Sequence, residues 1–136
     1  MRHDPPMDWD DVKRRLWEKP CVLRFYFASG DADGSFINPS EEGGDIAADT
    51  LDNAHATYPG RTRFIKADVE GAEPELLRGA LKTLERTEYI GIDCGAERLG
   101  QFTDAECAAI LRDAGFEVLC PNVHRKYALV AKNIRL

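Results

Sequence analysis

Residues 63–93 constrain the fold more than any other stretch of the chain. In RFIKADV, Ile65, Ala67 and Val69 alternate with Phe64, Lys66 and Asp68, the two-residue period of a strand, predicted over 63–69. The strand ends in carboxylates gathered around one glycine, DVEGAE, and Pro74 then takes a first-turn helical position where its missing N–H costs nothing. Leu76, Leu77, Ala80, Leu81 and Leu84 fall on one face of a helix predicted to reach about Glu85. A second strand, Glu88 to Asp93, follows. Strand, helix and strand in that order almost always make a right-handed crossover between parallel neighbours, so the stretch predicts an α/β fold.

Downstream, Thr103 and Glu106 have capping-box spacing, Cys107, Ile110, Leu111 and Ala114 form an apolar stripe, and Gly115 is placed to end that helix. Predicted strands 116–120 and 126–131 flank PNVHR, a connection suited to an antiparallel hairpin. The expected architecture is a mostly parallel sheet closed by a reversed hairpin. Upstream, Asp8 can cap a helix carrying Trp9, Val12 and Leu16 until Lys19-Pro20 stops it. CVLRFYFA, 21–28, reads as a strand, and NPSEEGG, 38–44, as a loop. A chain of 136 residues holds one core, giving a single domain with a divergent N-terminal helix, strand and loop over 1–44 and a core over 45–136.

With 43% hydrophobic and 31% charged residues and no apolar run long enough to span a bilayer, the composition predicts a soluble protein without a membrane partner. The opening MRHDPPMDWDD has no apolar stretch of the kind a signal peptide needs, so the expected location is cytoplasmic. A net charge of −6 argues against nucleic acid as a partner, and Lys13-Arg14-Arg15 reads as a solvated face. Cys21, Cys94, Cys107 and Cys120 are too widely spaced for a zinc motif and read as reduced, mostly buried thiols. SGDADG, 29–34, lacks the first Asp and the final Glu of a calcium loop, and the glycines in it are not followed by a helix that could receive a phosphate. The three histidines have no Ser or Cys partner at a recognisable spacing.

The chemistry therefore centres on the acidic turn, since open α/β sheets bind ligands outside the carboxyl ends of their strands. Read as residues alone, Glu70, Glu73 and Glu75 are also helix N-terminal acids that complement the macrodipole, and Asp93 should lie near Asp68 if their strands are neighbours. No metal-ligand set is assigned. FIKADVEGAE, followed in order by PELLRGALKTL, EYIGID and GFEVL, resembles the signature of the FkbM family of S-adenosylmethionine-dependent methyltransferases over about residues 45–131. The resemblance implies a class I, Rossmann-like methyltransferase fold, present here in part, with S-adenosylmethionine as cofactor. It implies O-methylation of a hydroxyl on a small metabolite or sugar. By the same resemblance Asp68 and Glu70 would orient the acceptor or take its proton, and Asp68 and Gly71 would face the methyl donor. Asp93, where the family often has Glu, would contact the acceptor together with Glu97 and Arg98.

The family places a strand, a glycine-rich turn, a helix and a second strand ending in a ribose-binding acid before this region. Residues before Asp45 are expected to supply only one helix and one strand. Three readings follow: the carboxyl-terminal half of a methyltransferase whose cofactor site is incomplete in this chain, a non-catalytic remnant, or an α/β interaction module whose acidic turn meets a partner. The expected partners are a missing N-terminal half or a second copy. Strand 63–69 would have an unprotected edge, which 22–28 is predicted to cover unless two chains pair there.

Overall fold

The computed structural model describes residues 15–26, 36–37, 44–121 and 128–136. Four strands, β1 (Arg15–Leu16), β2 (Cys21–Tyr26), β3 (Phe36–Ile37) and β4 (Gly44–Asp49), form one sheet in the order β1-β4-β2-β3. β4 runs antiparallel to β2 and parallel to β1. A short helix, α1 (Leu51–Ala54), leads out of it, started by Thr50, whose hydroxyl accepts the Asn53 N–H at 3.0 Å.

The second sheet carries the candidate chemistry. Its elements are β5 (Thr62–Ala67), α2 (Glu73–Arg78), α3 (Leu81–Glu85), β6 (Thr87–Asp93), α4 (Asp104–Asp113), β7 (Phe116–Pro121) and β8 (Ala128–Asn133), with strand order β5-β6-β8-β7. β5 and β6 pair in parallel, and β8 pairs antiparallel with both β6 and β7. Three strands thus point the same way while the reversed one is inserted between two of them. The α/β character and the closing hairpin match the sequence expectation, whereas two of the three pairings turn antiparallel because β8 is inserted between β6 and β7 rather than added at the edge.

Ala67, Ile90, Ile92, Leu129 and Ala131 on one face of this sheet pack against Leu77, Leu84, Cys107 and Leu111 from the helices. Leu77, Leu84 and Leu111 are 0% exposed, and burial of each contributes about 1.5–3 kcal/mol. The opposite face leaves Phe64, Leu119 and Val130 exposed.

Three expectations are corrected. β2 does not dock beside β5; it pairs with β4 and β3, so β5 is an edge of its sheet among the described residues. The partner it takes, GDIAAD, is built largely of Asp and Ala, residues depleted in strands, so propensity does not reveal it. Arg15–Leu16, expected to close the first helix, instead form β1 beside β4, tertiary pairing having overridden local helical spacing. Residues 17–19 of that helix are irregular rather than helical, and its earlier part, with Trp9 and Val12, lies outside the described residues, as do the SGDADG run and residues 38–43 of the predicted loop, whose last residue, Gly44, opens β4. The helix expected over 74–85 is broken at Gly79-Ala80 into α2 and α3. A Cβ on Gly79 would lie 2.1 Å from the carbonyl oxygen of Trp17, so only glycine lets the chain beyond β1 pass this close. The Asp52 N–H donates to the Gly79 carbonyl at 3.0 Å, fastening the first sheet's exit to the same joint.

Candidate functional site

β5 ends at Ala67, and the chain then turns sharply through Asp68–Ala72 before α2 begins. The turn is closed by the Ala72 N–H donating to the Val69 carbonyl at 3.2 Å. Two consecutive residues are left-handed, Glu70 at φ 53° and Gly71 at φ 91°. Glycine tolerates this conformation, but Glu70 pays roughly 1–2 kcal/mol for it. Strain of this kind persists only where surrounding contacts over-determine the backbone.

Those contacts centre on Glu73. It is 0% exposed although charged, with one carboxylate oxygen accepting the Gly71 N–H at 2.9 Å and the other accepting the Thr103 hydroxyl at 2.8 Å. Its role as a first-turn acid therefore extends further than the sequence suggests. Thr103, expected to cap α4, makes no side-chain capping bond because its hydroxyl is turned to Glu73; its supposed partner Glu106 pairs with Arg78 instead. Beneath this pair lie Cys94 and Cys107, both free and buried. A hydrogen bond to Cys94, which favours the neutral S–H, and burial push the Cys107 thiol far up, so it remains protonated.

Glu75 is also nearly buried and meets Arg98, which donates from Nη2 to Glu75 Oε1, while Arg78 Nη1 stands 4.0 Å from the same oxygen. Glu75 Oε2 is buried without a hydrogen-bond partner among the described residues. The backbone of Arg98 crowds the acidic turn: a Cβ on Gly71 would lie 2.9 Å from Arg98 N. Loop 94–103 and turn 68–72 are thus in direct van der Waals contact.

Sequence-predicted site residues divide accordingly. Asp68 follows Ala67, which is in register with Ile92, so it lies level with Asp93 at the end of β6, as adjacency of the two strands requires. Asp68 Oδ2 is 3.8 Å from Lys66 Nζ on a solvent-exposed surface. Lys66 and Asp93 also line a cavity of about 340 Å³ on the outer face, floored by Gly91 between Phe64 and Val130. Arg98 is brought to the turn, whereas the Glu97 carboxylate folds over Gly95, where a Cβ would lie 2.1 Å from Glu97 Oε1. Among the described residues no group of three or more His, Cys, Asp or Glu side chains is placed to hold a metal ion. None of their helices is long and apolar enough to cross a membrane. Sequence reasoning missed Thr103 and the true part played by Glu73; the only signal was the excess of carboxylates, more than a helix start requires.

No protein-family profile matches the chain, and no curated protein or solved structure matches it significantly.

Proposed function

We propose that the chain is the carboxyl-terminal half of an FkbM-like, S-adenosylmethionine-dependent O-methyltransferase acting on a hydroxyl of a small metabolite or sugar. The observation that carries this reading is the acidic turn at the carboxyl end of β5, level with Asp93 at the end of its parallel neighbour β6. The antiparallel β7–β8 pairing that closes the sheet also supports it.

In this reading Asp68 and Glu70 accept the proton that leaves the acceptor hydroxyl or orient that hydroxyl, work typically worth about 10²–10⁴-fold in rate. Asp93, level with Asp68, and Arg98, whose backbone meets Gly71, would hold the acceptor. S-adenosylmethionine supplies the methyl group, but this chain's residues do not by themselves complete a pocket for it. The space beside Gly71, the residue assigned to the donor, is occupied by the Arg98 backbone. The sequence before Asp45 also offers no glycine-rich turn followed by a helix. Donor binding is therefore assigned to a complementary half.

Calorimetry on the chain alone should detect no tight binding of S-adenosylmethionine. A dissociation constant near 1 μM, about −8 kcal/mol, would show that the chain builds its own cofactor site. With a polypeptide carrying the cofactor half of an FkbM-like enzyme, labelled methyl groups should pass to hydroxylated sugars or metabolites. Asp68→Asn and Glu70→Gln should each lower turnover by roughly 10²-fold. Small, equal losses for both and for the exposed Glu85→Gln would return the turn to a purely structural role. Turnover absent under every pairing would favour the non-catalytic reading.

A further inference from the structure

We propose that Glu73 is a positioning residue: its carboxylate clamps the acidic turn, through the Gly71 N–H, to the 94–103 loop, through the Thr103 hydroxyl, and thereby sets where Asp68 and Glu70 stand. The work assigned to Asp68 and Glu70 rests on the methyltransferase reading; the clamp itself does not.

A carboxylate removed from water is costly unless its oxygens are well satisfied. Glu73 is 0% exposed, and among the described residues it makes no ion pair; its compensation comes from two neutral donors. Packing alone would be served better by an apolar side chain of similar volume, and the start of α2 needs only a solvated acid. What a carboxylate provides here is two acceptor oxygens on one rigid plane, each taken by a different segment. An amide offers one acceptor and one donor, so glutamine would direct an N–H at a donor on one side or the other.

The two segments so joined carry every candidate site residue except Asp93. One is the turn with consecutive left-handed residues, Glu70 and Gly71, which would relax without an acceptor for the Gly71 N–H. The other is the loop bearing Glu97 and Arg98, whose backbone already presses on Gly71. Released from Glu73, the turn loses the bond that opposes its strain, and Asp68 and Glu70 lose their fixed origin.

The decisive experiment uses nitrogen-15 NMR on the full chain with Glu73→Gln, Thr103→Val and Thr103→Ser. Valine removes one arm of the clamp while keeping the branched shape, and serine restores the hydroxyl. Amide exchange at Gly71 should quicken by about tenfold or more in Glu73→Gln and Thr103→Val, with altered HN–Hα couplings at Glu70, while Ile90 and Ala131 in the core keep their protection. Thr103→Ser should behave as the unsubstituted protein. Unchanged Gly71 protection would overturn the clamp, and so would loss of protection in step with Ile90 and Ala131, which would make Glu73 an ordinary core anchor. Should Glu73→Gln fail to fold, Thr103→Val decides alone. In the methyl-transfer assay with the complementary half, Thr103→Val should lower turnover by about tenfold and Thr103→Ser restore it, the lower end of what a positioned group loses. Transfer at the unsubstituted rate by a Thr103→Val chain whose turn has relaxed would overturn the positioning role. No transfer by the unsubstituted chain would remove the methyltransferase reading and leave the NMR result to judge the clamp.

Discussion

Gly71→Ala and Gly100→Ala form a matched pair that separates backbone strain from crowding at the candidate site. Both glycines are left-handed, at φ 91° and 79°. Alanine in that region costs about 1–2 kcal/mol, partly offset by about 0.4–1 kcal/mol from a stiffer unfolded chain. At Gly100 no described atom outside the glycine and its two chain neighbours lies within 4 Å of an added Cβ, so the loss there should stay near ~1 kcal/mol. At Gly71 the added carbon meets Arg98 N at 2.9 Å, Arg98 Cβ at 3.0 Å and Arg98 Cα at 3.2 Å. These atoms belong to backbone and its first side-chain carbon, so no rotamer change relieves them and the loop must move. Overpacking of this kind adds about 1–3 kcal/mol, for a total near ~2–4 kcal/mol. Urea unfolding followed by far-ultraviolet circular dichroism gives both values, with unchanged m-values confirming that the unfolded states are comparable. Equal losses at the two positions would refute the contact between turn and loop.

Further outcomes are specific to other joints of the fold. Asn133 donates to the carbonyls of Leu84 and Thr87, each at 3.1 Å, at a buried position; Asn133→Ala leaves both carbonyls without that donor and should lower stability by about 2–4 kcal/mol in the same urea assay. Asp52 accepts from Thr83 N, Thr83 Oγ1 and Lys82 N at the start of α3, so Asp52→Ala should cost about 1–2 kcal/mol, while a loss below a few tenths would mean the cap is not formed in solution. Under native conditions Cys94 and Cys107 should resist a thiol reagent while half-buried Cys21 reacts, and mass spectrometry of the labelled peptides would show the order.

The region from β5 to β8 is legible in the sequence because local and tertiary preferences agree there. Ile65 and Ala67 alternate with Phe64 and Lys66 as β5 requires, Leu76, Leu77 and Leu84 mark the buried side of α2 and α3, and Gly115 ends α4 at φ 89°. The first sheet is much less legible. β4 has neither branched nor aromatic residues apart from Ile46, and its strand character is supplied by hydrogen bonds to β2. β1 is only two residues long, too short for any periodicity to declare it. The break at Gly79 is likewise invisible locally, since its cause is the carbonyl of Trp17, more than sixty residues away.

The acidic turn shows the same division at the scale of single side chains. As letters, Glu70, Glu73 and Glu75 are alike: carboxylates at a helix start, each favoured there by about 0.3–1 kcal/mol. Their environments give them different work. Glu70 is held in a left-handed conformation, Glu73 is shut away between Gly71 and Thr103, and Glu75 is spent on Arg98 with one oxygen left buried. Sequence reasoning would treat Glu75→Gln as a neutral control for the other two, yet Glu75 anchors the residue whose backbone shapes the turn. Its replacement would remove the charge opposite Arg98 at a largely buried position and disturb the site from behind, so the exposed Glu85 is the appropriate control. What separates the three acids is which distant residue each one meets. Thr103 and Arg98 lie 30 and 23 positions downstream of their partners, beyond the reach of any spacing rule.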